Sequence, residues 1–426
     1  MKILWNVNVK LPLIYKLQGK DNQTNVGGWL TQICDMLLNQ TEHELMAVYP
    51  SNNKNGEKGE TVNFRFCGLY FDPNGLRSGT LDENNSVKVY KDLLMEYKPD
   101  IIHVHGTEFQ YSYYLIKAAE ECGMLERVAV SIQGMVKYYA EHYCFGVPKY
   151  VKYGFTLKEF LLKNNVSCGV KSYIKRGVYE EKALKLASNV IGRTNWDKGC
   201  TNLINPSAQY YFCNETLRTD FYNGEWNYDS CQPHSAFISQ ASYPIKGFHL
   251  FLQALPWVKE RYPDVSVSVA GPNMMNGNLI KGSTYALYIQ HLIKKYNLAN
   301  NIKFLGPQNA EQMKSEMLKA NVFISPSTIE NSPNSLGEAM ILGVPCISSD
   351  VGGVADLMIH NEEGYIYPLD ETYMLAHYII KIFEKGAMVK EMGKKAHNHA
   401  KITHDPERNF MQLLKIYEII ESGSIE

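Results

Sequence analysis

From residue 235 onward, short apolar runs alternate with stretches in which apolar residues return every three or four positions. Ala236-Phe237-Ile238 predicts a strand. It is followed by a helix from about Gly247, in which Phe248, Phe251, Leu252 and Leu255 fall at i, i+3, i+4 and i+7. Further strands are expected at Val265–Ala270, Ile302–Leu305, Val322–Ser325 and Val344–Ile347, with helices near 284–296 and 309–319 and from about Ser335. The first half repeats the theme less regularly. Its strands are expected at Ile3–Val7, Leu45–Val48, Ile101–Val104, Val128–Ile132 and Val190–Ile191, and its helices at about 28–39, 84–97 and 110–122. Strands alternating with single helices predict α/β architecture with parallel sheets covered on both faces.

A chain of 426 residues exceeds what one core fills, so two such domains are expected. They are placed at 1–215 and 216–405. The amphipathic tail 406–426, with Phe410, Leu413, Leu414 and Tyr417 at helical spacing, forms a last helix. A region rich in Asn, Tyr, Cys and Trp, about 205–233, reads as the linker. A formal net charge of −1 excludes a chain-wide basic footprint for nucleic acid. Nine cysteines without a CxxC pair read as reduced thiols. With no run of 18 apolar residues and no signal-peptide pattern, a cytoplasmic protein is expected, any membrane contact being peripheral.

Local charge changes this picture more than the total does. Residues 134–186 hold ten Lys/Arg against four Asp/Glu, with ten Tyr or Phe interleaved. Such a mixture suits the boundary between acidic headgroups and acyl chains, or else a solvated helix face over core aromatics.

In open parallel sheets, ligands bind beyond the carboxyl ends of the strands, so residues at those ends carry the candidate chemistry. The stretch Phe323 to Glu338 has a strand ending at Ser325, a loop carrying Glu330 and a helix start near Ser335 whose free amides favour an anion. Glu338 has two readings, ligand contact or the N3 partner of Ser335 in a capping box. Lys246 precedes a helix, where a cation is mildly unfavourable unless an anion is present; the alternative is a solvated surface lysine. Gly27-Gly28 opens another helix and either admits a phosphate closely or simply turns the chain. Of His103 and His105, the second sits at a strand's edge and is better placed for a ligand, the first reading as a core histidine.

Glu330-x7-Glu338 with Asn334-Ser335-Leu336, Glu338-Ala339-Met340 and Gly343-Val344-Pro345 resembles family 4 of the retaining glycosyltransferases. Ser349-Asp350-Val351-Gly352-Gly353, Gly27-Gly28, His103-Val104-His105, Ala270-Gly271 and Lys246-Gly247 extend the resemblance over nearly the whole chain. It implies the GT-B fold: two Rossmann-like domains with parallel sheets facing across a cleft, the last helix crossing back to the first. The first domain would bind the acceptor and the second a nucleotide diphosphate sugar. Glu338 would hold the ribose hydroxyls and Glu330 the donor sugar, with amides of Asn334, Ser335 and Leu336 along the sugar and diphosphate. Lys246 would neutralise the leaving diphosphate, Gly28 beside Gly27 would offer it an amide, and His105 would sit near the reacting centre. Gly271 belongs to the same donor set.

One departure stands out. The family's usual Arg, six positions before the lysine, is Gln240 here, with Arg193 and Lys198 as replacement cations by motif. Gly192-Arg193-Thr194-x-Trp196-Asp197 reads alternatively as a helix start capped by Thr194 and Asp197. No Asp-x-Asp occurs, so no cofactor and no metal are expected, and Lys246 with amides would carry the charge. The expected activity is metal-independent, retaining hexosyl transfer from a nucleotide sugar to a glycan or lipid-linked acceptor in polysaccharide or glycoconjugate synthesis. The 134–186 stretch would touch an anionic membrane at the inner face, and no nucleic acid is expected as partner. The alternatives are a nucleotide-sugar 2-epimerase or a non-catalytic two-domain sugar-binding protein.

Overall fold

The computed structural model describes residues 1–20 and 27–423, apart from the side chains of 77 and 78. The chain divides into two units. The first comprises Met1–Tyr138, Ser172–Thr216 and His404–Glu426; the second comprises Tyr139–Lys171 and Leu217–Thr403.

In the first unit, strands β1 (Lys2–Asn6), β2 (Glu44–Ser51), β3 (Glu57–Glu60), β4 (Phe64–Tyr70), β5 (Ile101–His105), β6 (Val128–Ser131), β7 (Asn189–Gly192) and β8 (Gln209–Phe212) form one sheet in the order 3-4-2-1-5-6-7-8. Every pairing is parallel except the β3–β4 hairpin. Its central strands are buried on both faces: Leu4, Ile102 and Val104 enter one apolar cluster, Ile3, Trp5 and Ile101 the other. That is why these strands read as apolar runs rather than alternation. The last helix, Pro406–Ser422, contributes Phe410, Leu413 and Tyr417 to the second cluster and so belongs to this unit.

In the second unit, β9 (Ser235–Ile238), β10 (Ser266–Ala270), β11 (Ile302–Gly306), β12 (Val322–Ser325), β13 (Cys346–Ser349) and β14 (Gly364–Tyr367) pair in the order 11-10-9-12-13-14, all parallel. This is the doubly wound order 3-2-1-4-5-6, whose switch point lies between β9 and β12. In the helix Phe248–Arg261, Phe248, Phe251, Leu252 and Leu255 are all buried, as their spacing predicts.

Two boundaries differ from expectation. The basic aromatic stretch is split, with Tyr139–Lys171 in the second unit and the remainder of the helix Val166–Leu186 running into the first. The reason is local: His249 Nε2 bonds the Phe145 carbonyl at 2.8 Å, the Thr328 hydroxyl donates to the His142 carbonyl at 3.0 Å, and Val151 and Val166 enter the second core. The 205–233 region is not a free linker. It begins with β8, and Trp226 docks on the second unit through its backbone N–H to Leu342 and its indole N–H to Ala320, each at 2.7 Å.

Candidate active site

The switch point of the second sheet brings together the loops after β9 and β12, and these carry Lys246 and Glu330. The first loop tightens into a short 3₁₀ turn, Pro244–Lys246, and ends at Gly247 in the left-handed region, φ 63°. A Cβ at Gly247 would collide with the Pro326 carbonyl, so the glycine is what lets the two loops touch. Thr328 N–H donates to the Ile245 carbonyl at 2.7 Å, stitching them. Lys246 Nζ then lies 2.5 Å from Glu330 Oε1. Behind Glu330, Gly353 N–H donates to its carbonyl at 3.1 Å, and a Cβ on Gly352 would strike that same oxygen. The Gly352-Gly353 pair therefore positions Glu330. Ser349, at the end of β13, steadies the β12 loop through its hydroxyl to the Ser327 carbonyl at 2.5 Å.

The helix after this loop is Asn334–Ile341, with Pro333 at its N-cap and no side-chain cap. The capping-box reading of Ser335 and Glu338 fails, because the cap falls two residues earlier, at Pro333, and carries Glu338 past the position from which it would reach the cap. Glu338 instead meets Arg218 in a bidentate pair, Nε to Oε1 at 2.6 Å and Nη2 to Oε2 at 2.7 Å. Its side chain is 3% exposed and that of Arg218 22%. Burial pushes the Glu338 carboxyl above its ordinary range, with Arg218 opposing. Nothing in the sequence announced Arg218, a lone cation 120 positions from its partner. Leu336 is fully buried and its amide is already bonded to the Pro333 carbonyl at 2.9 Å, whereas Asn334 Oδ1 is a buried acceptor without a partner among the described residues.

Gln240 turns back on its own loop. Its Oε1 accepts the amides of Ala241 and Ser242 at 3.0 and 3.2 Å, which leaves Nε2 as the donor group. Gly271, with φ 99°, makes room for that oxygen and commits its own amide to Gly306 at 2.9 Å.

In the first unit, Gly27 (φ 85°) caps the helix Gly28–Gln40, and a Cβ there would collide with Val9. His103 is a satisfied core histidine. The Trp5 indole N–H donates to the Tyr417 hydroxyl at 3.0 Å, so that hydroxyl gives its proton to His103 Nδ1 at 2.6 Å. His103 Nε2–H then donates to Ser131 Oγ at 2.7 Å, and burial lowers the imidazole pKa to about 3. His105 lies at the strand end, its ring 3.7 Å from that of His103 and 4.7 Å from Trp5, and its buried Nε2 has no partner among the described residues. Burial, with His103 adding to it, pushes its pKa well below the ordinary value, so the ring is neutral.

Arg193 is committed inside this unit. Nη1 faces Glu215 at 2.5 Å, while Nη2 donates to the carbonyls of Ile132 at 2.8 Å and Gln133 at 3.1 Å. The Thr194–Asp197 string is a helix start: the Asp197 amide donates to Thr194 Oγ1 at 3.1 Å and its carboxylate accepts the Arg193 amide at 3.1 Å. Trp196 packs edge-on against Tyr138, and Lys198 lies over the Phe212 ring at 5.2 Å. Among the described residues, no three His, Cys, Asp or Glu side chains gather as a metal cluster, and no helix is long and apolar enough to cross a membrane.

Residues 227–399 match the family described as glycosyl transferases group 1. The phosphatidyl-myo-inositol mannosyltransferase of Mycobacterium tuberculosis is 26% identical over 189 residues, covering 43% of this chain and 46% of that protein. An uncharacterized glycosyltransferase of Bacillus subtilis, YqgM, is 26% identical over 184 residues, 42% of this chain and 48% of its own. The aligned stretches thus span about half the length of these relatives. Among solved structures, sucrose-phosphate synthase from Thermosynechococcus elongatus superposes with a TM-score of 0.72 at 16% identity, covering 100% of both chains. Anabaena HepE in complex with UDP-glucose gives 0.66 at 15% identity over 98% of this chain and 99% of its own. The two α/β units therefore have the GT-B fold, and the match to glycosyl transferases group 1 lies within the second unit, most of which it covers.

Proposed function

We propose that this protein is a family 4 retaining glycosyltransferase, which moves a sugar from a nucleotide diphosphate sugar to a glycan or lipid-linked acceptor in polysaccharide or glycoconjugate synthesis. The observation that carries the reading is the Lys246–Glu330 pair at the β9/β12 switch point, inside the segment that matches the family. A cation beside a helix start, set against a carboxylate, suits a ligand with an anionic diphosphate at one end and hydroxyls at the other.

In the reaction, the bond between the sugar's anomeric carbon and the diphosphate oxygen breaks and a bond to the acceptor oxygen forms on the same face. The acceptor's proton passes to the departing phosphate. Negative charge builds on the diphosphate, and Lys246 with the amides of Asn334 and Ser335 receives it without requiring a metal. Glu338, held by Arg218, keeps lone pairs for the ribose hydroxyls. Glu330 and Asn334 Oδ1 accept hydroxyls of the donor sugar, and Gln240 Nε2 supplies a neutral hydrogen bond where relatives of the motif carry an arginine. Roles for Gly27, Gly28 and neutral His105 at donor phosphate and sugar rest on the motif resemblance alone. Two similar proteins support the substrate class: a phosphatidyl-myo-inositol mannosyltransferase, and HepE in complex with UDP-glucose.

The test is incubation with a panel of nucleotide sugars, following slow release of free nucleoside diphosphate. Release by the parent protein, lost in Lys246→Ala and Glu330→Ala, is the expected result. An epimerised donor without diphosphate would replace the transferase reading with a 2-epimerase. Binding without turnover, even with glycan and lipid-linked acceptors present, would leave a sugar-binding protein.

A further inference from the structure

The short helix Leu157–Leu162 is folded inside out. Its buried residue is Glu159, at 4% exposure, whereas Phe160, Leu161 and Leu162 are 61%, 68% and 56% exposed. Glu159 is fully employed where it sits. It closes a reciprocal capping box with Thr156 and accepts the Thr284 amide at 3.0 Å, while the Thr156 hydroxyl donates to the Gly282 carbonyl at 2.9 Å. The segment is therefore fastened to the second unit by polar groups, and its apolar groups are left facing out. In water alone the opposite arrangement is the stable one.

The exposed apolar surface is continuous. The Phe155 and Phe160 rings lie 5.3 Å apart, and the amides of Leu157 and Lys158 bond the carbonyls of Leu279 and Ile280, themselves 71% and 59% exposed. Just upstream, Tyr150 and Tyr153 are 66% and 60% exposed. Leu203, 81% exposed, is flanked in the chain by a polar Asn202 and a buried Ile204.

Charge selects the occupant. Between Lys149 and Lys163 the lone carboxylate is the buried Glu159, and there is none between Asn273 and Ser283. The ionised side chains these segments present are Lys149, Lys152, Lys158, Lys163 and Lys281. None of them has a carboxylate partner among the ion pairs of the described residues. Phenylalanine and leucine rimmed by unpaired lysine, with tyrosine beside them, match a layer of acyl chains under anionic headgroups.

We infer that this face of the second unit, built from 149–163 and 279–281, docks on an anionic lipid surface. It narrows the basic aromatic stretch to one face and does not rest on the donor chemistry, since binding is read without nucleotide. The experiment is co-sedimentation of the full chain with vesicles of phosphatidylcholine alone, or with about one third phosphatidylglycerol, at about 0.1 M and about 1 M salt. Binding is expected to the anionic vesicles at low salt, weakened at high salt. Both Phe160→Glu with Leu161→Glu and Lys158→Glu with Lys163→Glu should weaken it roughly tenfold or more. Leu203→Glu, in the first unit, should bind as the parent does. Because the substituted side chains are exposed, melting temperatures and diphosphate release in vesicle-free solution should hold, so failure here is distinct from failure of the transferase reading. Absence of sedimentation, or equal binding by the face variants, would overturn the inference. So would a concentration-dependent dimer that the Phe160/Leu161 variant abolishes, which would make the face a contact between two copies.

Discussion

The two units carry the same kind of ion pair at the carboxyl ends of their sheets and use it differently. In the first, Arg193 is the buried member, 4% exposed, and three of its contacts are to Glu215 and two backbone carbonyls. In the second the carboxylate is the buried member, and Arg218 holds it from the more exposed side. A guanidinium buried against a carboxylate and two carbonyls ties together the segments that carry them, so the first pair is a brace. A carboxylate gripped by one arginine still has lone pairs on both oxygens, so the second pair can both hold its place and receive hydroxyls. Arg193, held by Glu215 and two carbonyls inside the first unit, is thus not a free cation that could replace the arginine missing at Gln240.

The largest effect expected is on chemistry. Removing one preorganised donor to a developing negative charge typically costs about 10²–10³ in rate, so Lys246→Ala should lower diphosphate release by that order with little change in melting temperature. A loss below tenfold would mean that the charge is met elsewhere.

The two arginines give a sharper contrast. Breaking a buried ion pair from one side costs about 3–5 kcal/mol, so Arg193→Met and Arg218→Met should both melt at lower temperature. Only Arg218→Met should also weaken the donor. Glu338 accepts hydroxyls on both oxygens only when ionised, its pKa is already raised by burial, and losing Arg218 raises it further. Donor binding should therefore fall as pH drops, with the fall starting at higher pH in Arg218→Met than in the parent. Calorimetric titration of donor across pH 5–8, below the melting temperature, checks this; a donor affinity equally weakened in Arg193→Met would erase the distinction.

How much of this the sequence showed depended on whether an interaction is local. Helical spacing placed Phe248–Leu255 correctly, and the β12 strand, Val322–Ser325, was legible residue by residue. The neighbouring strand was placed two residues early, because Ser348 and Ser349 look polar; in place, both hydroxyls bond backbone carbonyls and are buried. Helix phase misled at Glu338, where a two-residue shift of the cap, from Ser335 to Pro333, takes the carboxylate out of the capping position. Arg218 and the docking of 139–171 were invisible because they depend on partners far along the chain, such as Glu338 and His249. The helix Leu157–Leu162 inverts the usual pattern altogether: its apolar residues are outside and its glutamate is buried.

A carboxylate in the first unit makes its brace character measurable. Glu180 is fully buried and accepts Thr107 Oγ1 at 3.0 Å and the amides of Val136 and Lys137 at 3.1 and 2.8 Å. Burial nonetheless raises its pKa to about 7, Glu108 adding to the shift. With the folded value above the unfolded one, the native state binds the extra proton, so its stabilising contribution is complete below about pH 4.5 and is lost as pH rises through about 7. The difference is on the order of 3 kcal/mol. Glu180→Gln cannot titrate, so denaturant unfolding between pH 5 and 8 should show the parent losing stability relative to it. Parallel curves would mean that the buried carboxyl is ionised throughout.

The smallest effect expected is at the last helix. The Tyr417 hydroxyl accepts the Trp5 indole N–H and donates to His103, joining helix Pro406–Ser422 to β1 and β5 at one oxygen. Tyr417→Phe keeps the ring in its cluster and removes that oxygen, leaving a buried indole N–H and His103 Nδ1 unsatisfied. Each unsatisfied group costs about 1–3 kcal/mol, less whatever a shift of the His103 ring recovers, so a net loss of about 1–2 kcal/mol is expected. Burial keeps His103 neutral whatever Tyr417 carries, so the imidazole can turn to a new partner but not charge. If this edge is a brace, Tyr417→Phe lowers stability in urea without changing donor affinity. A donor defect at unchanged stability would instead make the His103–Tyr417 contact part of the reacting site, and the contrast between the two edges would fall with it.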